Sequence, residues 1–220
     1  PGTGKLTEKI LEKKPKEFIV IEKDKRMVEY LREKFKDKIR IINEDMMKFS
    51  YENFYNNKLI IFGNLPYNIS TQILLKTISF QKWPPNYEKV IFMFQKEVAE
   101  RIYAKKDTSS YGRLSIISNF RLKIKDYFNI SKNCFFPKPK IDSTVILFEP
   151  FLKQNEDIYH LKNLEKITQI FFSNKRKMIN KPMRRVFSNY KSVAERLNLP
   201  LNVRPSELDK KIYYFLAKLI

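Results

Sequence analysis

Short, continuous apolar runs rich in Ile, Val and Phe recur between residues 17 and 149: EFIVIE at 17–22, IRII at 39–42, KLIIF at 58–62 and KVIFMF at 89–94. A strand covered on both faces is apolar on both sides of its pleat, so these runs predict buried strands. Between them Met27, Val28, Leu31 and Phe35 recur at helical spacing, as do Ile69, Ile73, Leu74 and Ile78. Strand and helix in regular alternation predict an α/β fold with a parallel sheet and right-handed crossovers. After Tyr111 a helix through Leu114 and Ile117 leads to IKDYFNI (124–130) and STVILFE (143–149), which predict an antiparallel pair at the end of the sheet. From about Asp157 the strands stop, while Leu161, Leu164, Ile167, Ile170, Phe171 and later Leu208, Ile212, Phe215, Leu216 and Leu219 keep helical spacing. The expected organisation is an α/β domain over 1–152 and a small all-helical domain over 153–220. The chain opens on PGTGKLTEKIL, a glycine turn entering an amphipathic helix. Such a turn normally follows a strand, so the first strand of the sheet is expected to be missing from the chain as given.

Composition narrows the function. At 220 residues, with 43% hydrophobic and 31% charged positions, the chain has a globular composition and room for a sizeable core. No apolar stretch approaches the roughly 20 residues that span a bilayer, so neither a membrane segment nor a signal peptide is expected. One cysteine, Cys134, excludes an internal disulfide and points to a reducing, cytoplasmic location, or an organellar one in a eukaryote. One histidine, His160, leaves no cluster with metal-ligand spacing, so no metal is expected. It also argues against Ser-His-Asp or Cys-His chemistry, since His160 falls in a loop-like stretch far from any candidate nucleophile. The formal charge of +20, from 44 basic and 24 acidic residues, favours a polyanionic partner. A general lysine bias would also raise that number, but it would not remove acids locally. From Lys166 to Ala194 there is no acidic residue, while Lys166, Lys175, Arg176, Lys177, Lys181, Arg184, Arg185 and Lys191 are all basic. That window predicts a phosphate-facing surface.

Candidate chemistry sits at successive strand ends. Gly2 and Gly4 let the backbone approach a ligand, with a helix N-terminus behind them. A P-loop is excluded because Lys5 is followed by Leu6. Glu22, at the tip of the next strand, is placed to accept both hydroxyls of a ribose, with Lys23 beside it in the candidate cofactor set. It also reads as a solvated acid among Lys23, Asp24 and Lys25. Asp45 ends the following strand and could accept from an adenine amino group while Met46 packs on the ring; it equally suits a turn cap. The fourth strand end is GNLPYNIST, which by itself is a turn whose Ser70 or Thr71 could cap the next helix.

The Asn-Leu-Pro-Tyr string at 64–67 resembles the signature of adenine-N6 methyltransferases that use S-adenosylmethionine. QKEVAERI (95–102), YGRLS (111–115), FFPKPKIDS (135–143) and FFSNKRKMI (171–179) extend the likeness over essentially the whole chain. In order and spacing they resemble the KsgA-type ribosomal RNA adenine dimethyltransferases. The resemblance implies a Rossmann-like class I methyltransferase sheet with a helical RNA-binding domain, S-adenosylmethionine as cofactor and no metal. It implies a monomer acting on small-subunit rRNA or a pre-30S-type particle, at two adjacent adenines of the 3′-terminal hairpin. Gly2, Gly4, Glu22, Lys23, Asp45, Met46 and Asn64 would hold the cofactor. Asn64 and the carbonyl of Leu65 or Pro66 would hold the amino group; Tyr67 would stack on the base, and Phe135, or its neighbour Phe136, would close its other face. Arg113, Lys175, Arg176, Lys177, Arg184 and Arg185 would grip RNA. The rival readings are a large-subunit rRNA methyltransferase of the macrolide-resistance type and a non-catalytic nucleic-acid-binding assembly or transcription factor on the same fold.

Overall fold

Helix α1 (Lys5–Leu11) starts directly after Gly4, and strand β1 (Ile19–Glu22), helix α2 (Lys25–Phe35) and strand β2 (Arg40–Asn43) follow as a βαβ unit. β1 and β2 are parallel, with Glu22 opposite Asn43. Asp24 starts α2 by accepting the Arg26 amide, an N-cap that meets a donor the helix cannot satisfy internally. Leu31 and Phe35 then point inward with Val20 and Ile39 to form a small core of their own. The structure, a computed structural model, describes residues 1–50, 54, 58–152 and 158–220.

A second parallel unit comprises β3 (Leu59–Asn64), α3 (Ser70–Ile78) and β4 (Tyr87–Gln95), with Asn64 opposite Met93. Then come α4 (Lys96–Tyr103), α5 (Arg113–Arg121), β5 (Leu122–Ile130) and β6 (Ser143–Pro150). β6 runs antiparallel between β4 and β5, so the sheet order is β3-β4-β6-β5 and the antiparallel pair expected from the sequence is present. β1 and β2 form a separate two-stranded sheet; among the described residues no strand joins it to β3, where Ile60 and Phe62 remain exposed.

The last helices are α6 (Ile158–Phe172), α7 (Asn180–Val186), α8 (Tyr190–Arg196) and α9 (Lys210–Lys218). They share one continuous core with the four-stranded sheet, running from Phe92 and Phe148 through Phe120 to Leu164, Phe171 and Tyr213. Two tyrosines sew this junction: Tyr111 donates to the Leu208 carbonyl and Tyr214 to that of Ile116. Arg121 is fully buried and donates to the carbonyls of Ile78 and Phe80, with its guanidinium over the Trp83 ring. It meets carbonyls at the last residue of α3 and just beyond it, which the helix leaves without partners. His160 lies within α6, not in a loop as its polar neighbours suggested.

Candidate active site and nucleic-acid interface

The strand ends read from the sequence are brought together in part. Glu22 accepts the Asp24 amide at 2.9 Å through Oε1, and its Oε2 lies 3.4 Å from the Gly2 amide, so glycine turn and carboxylate face one spot. Gly2 has φ 55°, and a Cβ there would meet nothing within 4 Å; its backbone is open to a ligand. Gly4 serves a different end. Its φ is 77°, and a Cβ would lie 2.5 Å from the Phe35 ring and 3.1 Å from Leu31, so this glycine lets the start of α1 press onto α2.

Asp45 is both a turn cap and an ion-pair partner. Oδ1 accepts the Met47 amide at 2.9 Å, and Oδ2 accepts from Lys23 Nζ at 2.8 Å. The Lys23 ammonium, seconded by that amide, holds the Asp45 carboxyl below the usual carboxylate range. Lys23 thus ties the β1 tip to the β2 tip, and Asn43 adds side-chain hydrogen bonds to the carbonyls of Glu22 and Lys23. A carboxylate has about four acceptor positions, so Asp45 can still receive an amino group.

Lys76, which sequence reasoning missed, holds the next part of this loop. From α3 its Nζ donates to the carbonyls of Met46 at 2.9 Å and Met47 at 2.6 Å, and burial lowers its pKa. A lysine at helical spacing carries no signal that its partner lies 30 residues upstream. Lys76→Met is expected to raise the KM for S-adenosylmethionine about threefold to tenfold, with kcat changed less. That corresponds to roughly 1 kcal/mol for a partly exposed charged hydrogen bond. Initial rates at varied cofactor concentration check it.

At the third tip, Asn64 ends β3 exposed to solvent. At Gly63 before it, a Cβ would lie 2.6 Å from the Leu65 side chain and 2.8 Å from the Phe92 ring, so a larger residue would displace one of them. The Pro66 carbonyl accepts the Ile69 amide at 3.1 Å, which leaves the Leu65 carbonyl as the one of the pair not committed to this turn. Tyr67 is half-buried, and its hydroxyl lies 2.8 Å from Oγ of the buried Ser143. Ser70 does not cap α3: the N-cap is Ile69, with no side-chain cap, and Ser70 Oγ donates to the Tyr67 carbonyl. Thr71 lies inside the helix.

The segment carrying Phe135 is pinned at its far end. Asp142 accepts the Lys132 amide through Oδ1, and its carbonyl accepts the Lys96 amide. Phe135 is half-buried while Phe136 is 95% exposed, so only the first ring is held in place. Asp142 and Ser143 were legible as the DS of KPKIDS, but not their partners.

Arg113 opens α5; Lys175, Arg176 and Lys177 form the turn after α6, and Arg184 and Arg185 project from α7. Arg184 lies 5.7 Å over the Tyr190 ring, and Lys175 donates to the Ser109 carbonyl. Among the described residues none of these six cations forms a salt bridge. Among the same residues no group of His, Cys, Asp and Glu could hold a metal, and no helix is long and apolar enough to cross a membrane.

Two parallel βαβ units, with a glycine turn and two carboxylates at the β1 and β2 ends and Asn-Leu-Pro-Tyr at the β3 end, are the frame of a class I S-adenosylmethionine-dependent methyltransferase. The chain belongs to the family described as ribosomal RNA adenine dimethylase, whose model matches residues 1–213. It is 47% identical to the ribosomal RNA small subunit methyltransferase A of Pelagibacter ubique (strain HTCC1062), over 99% of this chain and 83% of that one. With the same-named protein of Malacoplasma penetrans (strain HF-2) the identity is 37%, over 97% and 76%. Among solved structures, a dimethyladenosine transferase from Plasmodium falciparum matches with a TM-score of 0.79 and 26% identity, covering 98% of this chain and 85% of that one. The 23S rRNA methyltransferase ErmE shares the fold, with a TM-score of 0.66, 20% identity and coverage of 99% and 87%.

The donor set fits S-adenosylmethionine. When it is bound, Gly2 and the Glu22 carboxylate would face its ribose, and Asp45, which keeps acceptor capacity, would take its adenine amino group beside Met46.

Proposed function

We propose that this protein methylates the N6 amino groups of two adjacent adenines in the 3′-terminal hairpin of small-subunit rRNA, giving N6,N6-dimethyladenosine during small-subunit assembly. The observation that carries the reading is the β3 tip: exposed Asn64, a Leu65 carbonyl with no hydrogen-bond partner among the described residues and a Tyr67 ring fixed through Ser143.

An adenine amino nitrogen is a poor nucleophile because its lone pair is delocalised into the ring. Asn64 Oδ1 and the Leu65 carbonyl accept its two N–H bonds, draw it toward tetrahedral geometry and free the lone pair. Tyr67 and Phe135 hold the extruded ring between them, as base stacking on aromatic side chains allows. When bound, S-adenosylmethionine supplies an electrophilic methyl group. Because Asn64 faces solvent, the released proton passes to water, and no side-chain base is needed. Positioning therefore accounts for most of the rate.

Residues 153–220 act as the RNA-binding unit, in a monomer working in the cytoplasm on rRNA or a pre-30S-type particle. Arg184→Ala with Arg185→Ala is expected to weaken RNA binding about tenfold or more. It should also reduce the slope of log affinity against log salt by about 1 to 2, in filter-binding titrations across salt. Substrate identity is tested with labelled S-adenosylmethionine and naked small-subunit and large-subunit rRNA. Label in the small-subunit RNA supports the reading, and label only in large-subunit RNA overturns it.

A further inference from the structure

A cleft of about 350 Å³ lies where α4, the start of α5 and the end of α6 meet, and none of the groups assigned to methyl transfer lines it. Arg101, Arg113 and Lys175 line it against one carboxylate, Glu97. Neither arginine forms a salt bridge among the described residues. Glu165 on α6 also acts on Arg113 but does not line the cleft. Lys175 closes the cleft by donating to the Ser109 carbonyl, so a residue of the basic window forms a wall with the loop before α5. Phe172 supplies the apolar side.

The position matters as much as the charge. α4 follows β4 without a break, and β4 is the parallel neighbour of the strand that ends in Asn64. α4 therefore leaves the sheet at the edge that carries the amino-group site, while Lys175 begins the basic turn before α7. The cleft sits between the two.

We propose that this cleft seats one phosphodiester of the RNA substrate, between the stretch gripped by the basic window and the adenosine presented at Asn64; the inference rests on RNA being the substrate. Two guanidinium forks match phosphate oxygens, and the Phe172 face takes the adjoining sugar. Such a contact fixes register without reading sequence. S-adenosylmethionine does not suit the cleft, because it carries a cationic sulfonium and no phosphate.

The test compares full-length wild type, Arg101→Gln with Arg113→Gln, and Glu97→Gln. The readouts are affinity for a labelled small-subunit rRNA hairpin across salt, and S-adenosylmethionine affinity by calorimetry. The double variant should bind RNA about tenfold more weakly, with a salt slope smaller by about 1 and unchanged cofactor affinity. Glu97→Gln should bind RNA more tightly by a few fold. Unchanged RNA affinity and slope in the double variant overturn the seat, while methylation of the RNA by wild type leaves the proposed function standing. Should the double variant bind neither RNA nor cofactor, Glu97→Gln decides: tighter RNA binding upholds the seat, and unchanged binding overturns it. Inorganic phosphate at constant ionic strength should compete only weakly; full displacement of RNA by millimolar phosphate assigns the cleft to a free anion and overturns the phosphodiester.

Discussion

Asn64→Ala is expected to reduce methyl transfer by at least about 10³-fold while RNA affinity stays within about twofold of wild type. The magnitude follows from removing one of two preorganised acceptors aimed at a reacting centre, where a single such group is typically worth 10²–10³ and the lost alignment adds to it. Little else should change. Asn64 is exposed at the end of β3, so truncation removes no core packing, and the thermal midpoint should stay within a degree or two. The amide lies outside the basic window, so the phosphate contacts that dominate RNA affinity are untouched. Asn64→Asp keeps an acceptor oxygen and should fall between wild type and the alanine variant. Single-turnover transfer from labelled S-adenosylmethionine, with RNA binding measured in parallel, separates these effects. Equal methylation by wild type and Asn64→Ala refutes the role given to the amide.

That prediction was available from the sequence because the string NLPY carries the resemblance to adenine-N6 methyltransferases and follows an apolar run, which marks a strand whether or not its neighbours are known. The same logic placed β4, where Val90, Phe92 and Phe94 are all buried, and the helical spacing of α6 and α9. What periodicity cannot say is what an apolar face meets. For the helices of the 153–220 region, spacing gave the inward faces but not their partners: Phe120 packs against Tyr214 and the core continues from the sheet into them. Pairings between polar groups were equally invisible. Lys23 and Asp45 stand 22 positions apart and Tyr67 and Ser143 stand 76 apart; nothing in local composition links either pair. The two phenylalanines at 135 and 136 were indistinguishable in sequence, and only burial separates them. Ser70 shows the opposite error: a residue type favoured at N-caps lies one position inside the helix and serves the preceding turn.

Gly4→Ala is expected to destabilise the protein by about 2–5 kcal/mol, an expectation the glycine spacing alone did not suggest. Two effects add. A non-glycine residue in the left-handed region loses about 1–2 kcal/mol. The new methyl would also lie 2.5 Å from the Phe35 ring, and overpacking of that kind typically adds 1–3 kcal/mol. Phe35 is buried against Leu31, so the ring has no solvent side to move into. For a chain of this length the thermal midpoint should fall by roughly 4–20 °C. Gly2→Ala is the matched control. Its φ of 55° carries similar strain, but its Cβ would enter open space beside Glu22, so the thermal shift should be smaller and the loss should appear in affinity for S-adenosylmethionine. Thermal unfolding and calorimetry on both variants therefore sort the two glycines. A midpoint for Gly4→Ala within a degree of wild type would mean that Phe35 moves aside without penalty, and would remove the packing role assigned to Gly4. If instead Gly2→Ala lowers the midpoint as much as Gly4→Ala and leaves cofactor affinity intact, the open face at Gly2 is not where the ligand approaches.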